Sequence, residues 1–325
     1  MKAWAAAVAC CAVAGQLAGC TGSTFQSTLP TARTQIATHG SAVRSWISPA
    51  AAGQDLLYVS DDSGVVYVLT YPAGKLVGTL SGFGGPGGLC SDAKGNVFIT
   101  DTPTGLVYKY AHAGKTPVAT LLDFSAFPNG CAVDPKSGAI AITNFATSPN
   151  QGPGNVVVYA SVSGRPTTYT DANFNEFLYC GYDAGGNLFV DGVNGGTTSS
   201  LFAELPKGGS SLNDLTVNRS IAYPGAVQWD GTYIAVEDLL KAKVYRVKFS
   251  GSNGTVSGTV NLNVHSHLLV QFWIQGSTIV VPFGATPRFV KKVGLWTYPA
   301  GGSPTASFRI SGDVELVGAT VSVSK

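Results

Sequence analysis

Charge is what this chain has least of. Only 12% of its residues are Asp, Glu, Lys or Arg, where roughly a quarter is usual for a soluble domain. The 20 basic and 18 acidic side chains nearly cancel, leaving a net charge of +2. So weak a field cannot hold a polyanion, and no nucleic-acid partner is expected. Histidine is scarce as well, with four in 325 residues. No nucleophile elbow, P-loop, HExxH pair or dinucleotide fingerprint occurs, which removes the motif-bearing enzyme classes. Nor is there an apolar run long enough for a permanent membrane helix, since the stretch from Ala3 to Gln16 is too short to span a bilayer. What fills the space left by charge is Gly, Ser, Thr and Asn. The 41 glycines suit a protein of many tight turns working outside the cytoplasm.

The N-terminus reads as a targeting segment. Lys2 supplies a short positive region, and the Ala-rich stretch after it ends in Leu17-Ala18-Gly19-Cys20. That sequence resembles the bacterial lipobox, in which small residues fit the signal peptidase and the Cys is acylated. The resemblance implies that residues 1–19 are removed and that Cys20 becomes a lipidated N-terminus. The membrane would then be a partner through that lipid. Thr21, rather than Asp, resembles the outer-membrane type, on the periplasmic side or at the cell surface. The alternative is an ordinary secretory signal cleaved after a small residue. Residues 20–40, rich in Ser, Thr, Ala and Gln, read as a flexible tether.

From residue 41 to 325 a phrase repeats: a short apolar strand, an Asp-and-Gly turn, a second strand, then a third ending in an aromatic. Leu89–Asp101 and Cys180–Asp191 are its clearest copies. Turn residues Asp92, Asp134, Asp183 and Asp230 stand 42, 49 and 47 residues apart, with Pro49 and Gln275 in the corresponding places of the first and last copies. Tyr71, Tyr110, Tyr159, Leu205, Phe249 and Tyr298 close the third strands at a similar period, and Tyr71-Pro72-Ala73-Gly74 returns as Tyr298-Pro299-Ala300-Gly301. Strand-only repeats of this length predict an all-β chain, a six-bladed β-propeller of four-stranded antiparallel blades. In the second copy the strands fall at Gly88–Cys90, Asn96–Thr100, Leu106–Tyr110 and Val118–Leu122. Both Ser45–Ser48 and Leu316–Thr320 look like innermost strands, and the C-terminal one is expected to dock beside the first blade. The phrases Gly95-Asn96-Val97-Phe98-Ile99-Thr100-Asp101 and Pro128-Asn129-Gly130-Cys131-Ala132-Val133-Asp134 resemble NHL-type repeats and, more distantly, the senescence-marker/gluconolactonase propellers. The whole chain also resembles a group of bacterial lipoproteins with this repeat. The resemblance implies architecture rather than activity, because such propellers include scaffolds, peptide binders, lyases and hydrolases.

Several residue groups can carry function. Asp61, Asp62, Asp101, Asn144, Asp191, Glu237 and Asp238 follow second strands and fall at one rim, where carboxylates can hold Ca²⁺ or simply cap turns. Their register differs: Asp101 lies five residues after Asn96, but Asp191 lies four after Asn187. The lactonase resemblance implies a metal held by Glu, two Asn and Asp. Asn129 and Asp230 match two of these, and no innermost strand offers the Glu. His265 and His267 form an HxH pair able to take Zn²⁺ on a strand, or an ordinary surface pair. Cys90, Cys131 and Cys180 lie on three consecutive innermost strands and read as small buried thiols, adjacent inner strands being too far apart for bridging. Trp229, Phe272, Trp273 and Trp296 can line a sugar- or peptide-binding rim or fill the wedge between blades. The expected function is a non-catalytic binding module at the bacterial envelope, without an obligatory cofactor, whose partner is an envelope protein, peptide or carbohydrate. A metal-dependent lactonase and a structural envelope component are the alternatives. The ligand-binding set at the channel rim is Asp101, Asn129, Asn144, Asp191, Asp230 and Asp238.

Overall fold

The computed structural model describes residues 44–123, 126–147, 152–194, 200–264, 268–284, 290–312 and 314–325. Cys20 with its lipobox, and His265 and His267, lie outside the described residues.

Asp–Gly turns and alternating apolar residues fold the repeats into antiparallel meanders. The first sheet holds β1 (Trp46–Ile47), β2 (Leu56–Asp61), β3 (Val65–Thr70) and β4 (Leu76–Ser81) in the order β1-β4-β3-β2. The last strand of the chain, β26 (Leu316–Ser322), lies beside β2. The second sheet is β5 (Pro86–Ser91), β6 (Val97–Asp101), β7 (Leu106–Tyr110) and β8 (Pro117–Leu122), the strands that the pattern predicts. The third is β9 (Ala126–Val133), β10 (Ile140–Thr147), β11 (Gly152–Tyr159) and β12 (Thr167–Tyr169). Next come two meanders: β13 (Glu176–Tyr182), β14 (Leu188–Val193), β15 (Ser200–Leu205) and β16 (Asn213–Val217), then β17 (Pro224–Trp229), β18 (Ile234–Asp238), β19 (Lys243–Ser250) and β20 (Asn253–Asn261). They merge into one eight-stranded sheet because β16 runs parallel to β20 through Thr216↔Asn253 and Val217↔Gly254. In the last sheet β21 (Leu268–Leu269) and β22 (Trp273–Gln275) both pair with β23 (Thr278–Gly284), followed by β24 (Val290–Thr297) and β25 (Ala306–Arg309).

The first strands of successive meanders pack side by side. β5 contacts β9, β9 contacts β13 and β13 contacts β17, while β22 lies between β17 and β26, which returns to β5. The chain's end therefore supplies an inner strand. Trp46–Ile47, expected as an innermost strand, instead pairs with β4 at the outer edge of the first sheet. Pro49 likewise opens a short 3₁₀ turn on that outer side rather than following an inner strand. The physical reason is order of closure: β26 brings seven residues to β2 and buries Leu316, Ala319 and Val321, whereas β1 has only two.

Faces alternate as two-sided burial requires. Val66 and Val68 pack toward Leu89, Val97 and Ile99, while Tyr67 and Leu69 pack toward Val280, Val293 and Leu295. At roughly 1.5–3 kcal/mol for each fully buried large apolar side chain, these walls between sheets supply most of the driving force. At Gly95 the backbone has φ 78°, left-handed geometry that glycine accepts at little cost.

The cysteines require a correction. Cys90 and Cys131 form a disulfide between β5 and β9, and among the described residues Cys180 is left as a free, buried thiol. Inner strands converge toward their common axis, so the Cα atoms lie 5.7 Å apart, within bridging range. Two glutamine amides complete the inner wall. Gln228 donates to the Ile274 carbonyl at 2.9 Å and accepts its N–H at 2.7 Å. Gln271 does the same with Leu89, at 2.7 and 2.8 Å, reaching past β26. It passes over Gly318, where a Cβ would clash with its Oε1.

Candidate functional site

The turn aspartates are turn residues in fact. Asp92 accepts the N–H groups of Lys94 and Asn96 at 2.8 and 2.9 Å, and Asp183 accepts that of Asn187 at 2.9 Å. Asp230 does more. Its carboxylate takes the Thr232 and Tyr233 N–H groups at 2.9 and 2.7 Å, Arg246 Nε at 2.6 Å and the Tyr298 hydroxyl at 2.7 Å. Burial works against the charge, but the hydrogen bonds from Arg246, Tyr298, Tyr233 and Thr232 outweigh it and hold the carboxyl below its usual range. Asp230 thus joins two sheets as a clamp.

The rim residues divide into two sets, as their register foretells. Asp61, Asp101 and Asp238 end their second strands, Asn144 stands at a register shift within β10, and all four are fully buried. Asp101 caps the backbone of the loop before β5, accepting Gly84 and Gly85 N–H groups at 3.0 and 2.9 Å. Asp238 accepts Ala222 N–H at 3.0 Å and pairs with Lys241 at 3.4 Å. Asn144 donates to Asp123 at 2.8 Å and to Asn155 at 2.7 Å. Burial pushes the Asp123 carboxyl up to about 6 despite that bond. Asn129, on β9, donates to the Leu178 carbonyl at 2.6 Å.

One position earlier in each second strand stand Ser60, Thr100, Thr143, Asp191 and Glu237. These face the inner strands. The hydroxyls reach the next sheet: Ser60 donates to Gly87 at 2.6 Å, Thr100 to Asn129 at 3.0 Å and Thr143 to Leu178 at 2.8 Å. Asp191 accepts Tyr179 N–H at 2.8 Å, and Glu237 accepts Ala226 N–H at 3.0 Å. Both carboxyls are fully buried, and their second oxygens, Asp191 Oδ2 and Glu237 Oε1, have no hydrogen-bond partner. Burial drives both well above the ordinary carboxylate range; at Glu237 the charges of Asp191 and Asp238 add to it, against the N–H groups of Ala226 and Phe272. Asp191, expected in the rim set, stands with Glu237 instead, as its four-residue distance from Asn187 allows. Among the described residues no group of three or more His, Cys, Asp or Glu side chains converges as a metal site.

Above this layer is a cavity of about 220 Å³, lined from five inner segments. Its lining residues include the aromatics Tyr179, Tyr182, Trp229, Phe272 and Trp273, of which all but Phe272 also pack against the apolar clusters between sheets, and both cysteines of the Cys90–Cys131 disulfide. Tyr182, Trp229 and Trp273 are half-buried, so the cavity opens toward the face of the Asp turns. Trp296 is not part of it: it is fully buried, edge-on to Phe283 at 5.7 Å.

No protein-family model matches the chain, and no curated protein matches it. Solved structures do. A chain from a Nidogen/Laminin complex is 14% identical with a TM-score of 0.66, the match covering 83% of this chain and 99% of that one. A protein of unknown function from Bacteroides caccae is 10% identical with a TM-score of 0.58, covering 83% and 98%. The fold is a β-propeller. At such identities the likeness speaks for architecture alone.

Within the propeller, residues that sequence reading passes over turn out to build the axis. Gln228 and Gln271 carry no motif, and the available sign is that each sits just before an aromatic, Gln228 near the end of β17 and Gln271 just ahead of β22. Glu237 is visible in the sequence only as the neighbour of Asp238.

Proposed function

We propose that this chain is a six-bladed, NHL-type propeller, lipid-anchored through Cys20, that serves as a non-catalytic binding module at the bacterial envelope. The eight-stranded sheet then counts as two blades joined at their outer strands. The observation that carries the binding reading is the aromatic-lined axial cavity of about 220 Å³. That volume is below the range of drug-sized pockets, so it suits one sugar ring or one side chain of a larger carbohydrate or peptide. Aromatic faces offer broad apolar area with a polar edge, the chemistry such ligands use. Catalysis of the lactonase type finds little to work with. The Asn129 amide is spent on Leu178, and the Asp230 carboxylate accepts four hydrogen bonds.

The test is a titration of the purified protein with envelope glycan fragments and peptides, following tryptophan fluorescence. Saturable quenching that Trp229→Ala and Trp273→Ala abolish would support the cavity as the site. Binding unaltered by both substitutions would place the ligand elsewhere. Separately, Cys20→Ser should release the protein from membranes, and undiminished membrane association would end the lipoprotein reading.

A further inference from the structure

We propose that Asp191 and Glu237 are held in the folded protein as neutral carboxylic acids, whose protons take the place of the hydroxyl protons of Ser60, Thr100 and Thr143 and make the axial wall sensitive to alkaline pH.

Thr143 shows the complete pattern. It accepts the N–H of Gly130 from its own inner strand at 3.1 Å and donates to the Leu178 carbonyl of the next at 2.8 Å. Thr100 and Ser60 make the same outgoing bond, to Asn129 and Gly87. Asp191 and Glu237 occupy the same position and receive the same incoming bond, from Tyr179 and Ala226. What an ionised carboxylate lacks is the outgoing proton. Leu178 immediately precedes Tyr179 as Gly225 precedes Ala226, so the register assigns the Gly225 carbonyl to Asp191, while at Glu237 the backbone group that acts from the next inner segment is the Phe272 N–H. Asp191 Oδ2 and Glu237 Oε1 are buried without a hydrogen-bond partner. A proton on each removes a buried charge and supplies the donor that the ionised carboxylate lacks.

The groups that act on the pair do not supply a countercharge. Asp191 faces the Cys180 thiol of β13 and Glu237 of β18, and Glu237 faces Asp191 and Asp238. Asp238 is itself paired with Lys241. A fully buried ion without a partner is far costlier than a buried neutral acid with its hydrogen bonds made. Since the folded carboxyls titrate above the unfolded ones, their contribution is complete below the unfolded value near 4 and is lost as pH rises through the folded values. Tyr179 and Ala226 line the cavity, so the loss would loosen its wall.

The experiment compares unfolding midpoints of the full-length protein, its Asp191→Asn and Glu237→Gln single variants and the double variant from pH 5 to about pH 10. Each amide keeps the acceptor and carries a permanent donor. The expected result is a wild-type midpoint that falls as pH rises relative to the double variant, which equals or exceeds it on the alkaline side. Parallel curves would overturn the proposal. So would amide variants weaker than wild type at every pH together with a wild-type midpoint lowered by chelator, because the carboxylates would then be ionised around a cation. Should the double variant fail to fold, infrared spectra of wild type at pH 7 decide. A protonated-carboxyl band lost in Glu237→Gln supports the proposal, and its absence overturns it.

Discussion

Two arcs of the propeller solve one problem differently. Along the first, Ser60, Thr100 and Thr143 stitch each second strand to the next inner strand through a hydroxyl, and β5 and β9 are further tied by Cys90–Cys131. Along the second, carboxyls stand at that position, and amides of Gln228 and Gln271 bridge where β22 is only three residues long. The backbone register is shared, and what each site asks for is a group that accepts one hydrogen bond and donates another. Hydroxyls meet that demand at any pH. Carboxyls meet it only while protonated, so the hydroxyl positions should be indifferent to pH and the carboxyl positions should not.

The largest effect expected is loss of the closing strand. Deleting residues 314–325 removes β26 from between β2 and β5, exposing the wall against Leu57 and Val59, and should abolish the cooperative thermal transition seen by circular dichroism. A variant melting like wild type would show the arcs are not joined through β26. Next, Cys90→Ala with Cys131→Ala opens a loop of 41 residues, which chain entropy values at about 4 kcal/mol. Denaturant midpoints should fall accordingly, with the first arc then no firmer than the second. Thr143→Val removes the hydroxyl acceptor of the Gly130 N–H and one of the two donors to the Leu178 carbonyl, which keeps Asn129, and should cost about 1–3 kcal/mol. That loss should be equal at pH 5 and pH 9, and a pH-dependent loss would erase the contrast between hydroxyl and carboxyl positions.

The smallest effect belongs to Asp123, an acid within the hydroxyl arc. Its folded value of about 6 exceeds the ordinary 3.8, so its contribution is complete below the lower figure and lost as pH climbs through the higher. Asp123→Asn should flatten stability over that interval in denaturant titrations and leave the curve above it parallel to wild type.

Much of the scaffold was legible because turns are local. Asp92 and Asp183 bond backbone within a few residues, and the strands of the second sheet follow from alternation between such turns. The rim offset was legible too, in the different distances from Asn96 to Asp101 and from Asn187 to Asp191. The cavity's Trp229, Phe272 and Trp273 could be named as aromatics but not separated from Trp296, which is buried elsewhere. The disulfide, the glutamine bridges and the clamp of Asp230 with Tyr298 were hidden, since each joins residues from different repeats.

By itself, then, the sequence determined the strands, their turns and the period of the repeat, because these depend on φ preferences and side-chain alternation within a few residues. Tertiary structure decided which strand closes the ring, which cysteines meet and which carboxyls lose water altogether. Those outcomes depend on the convergence of inner strands around one axis, and distance across that axis is not a property of any local stretch of chain.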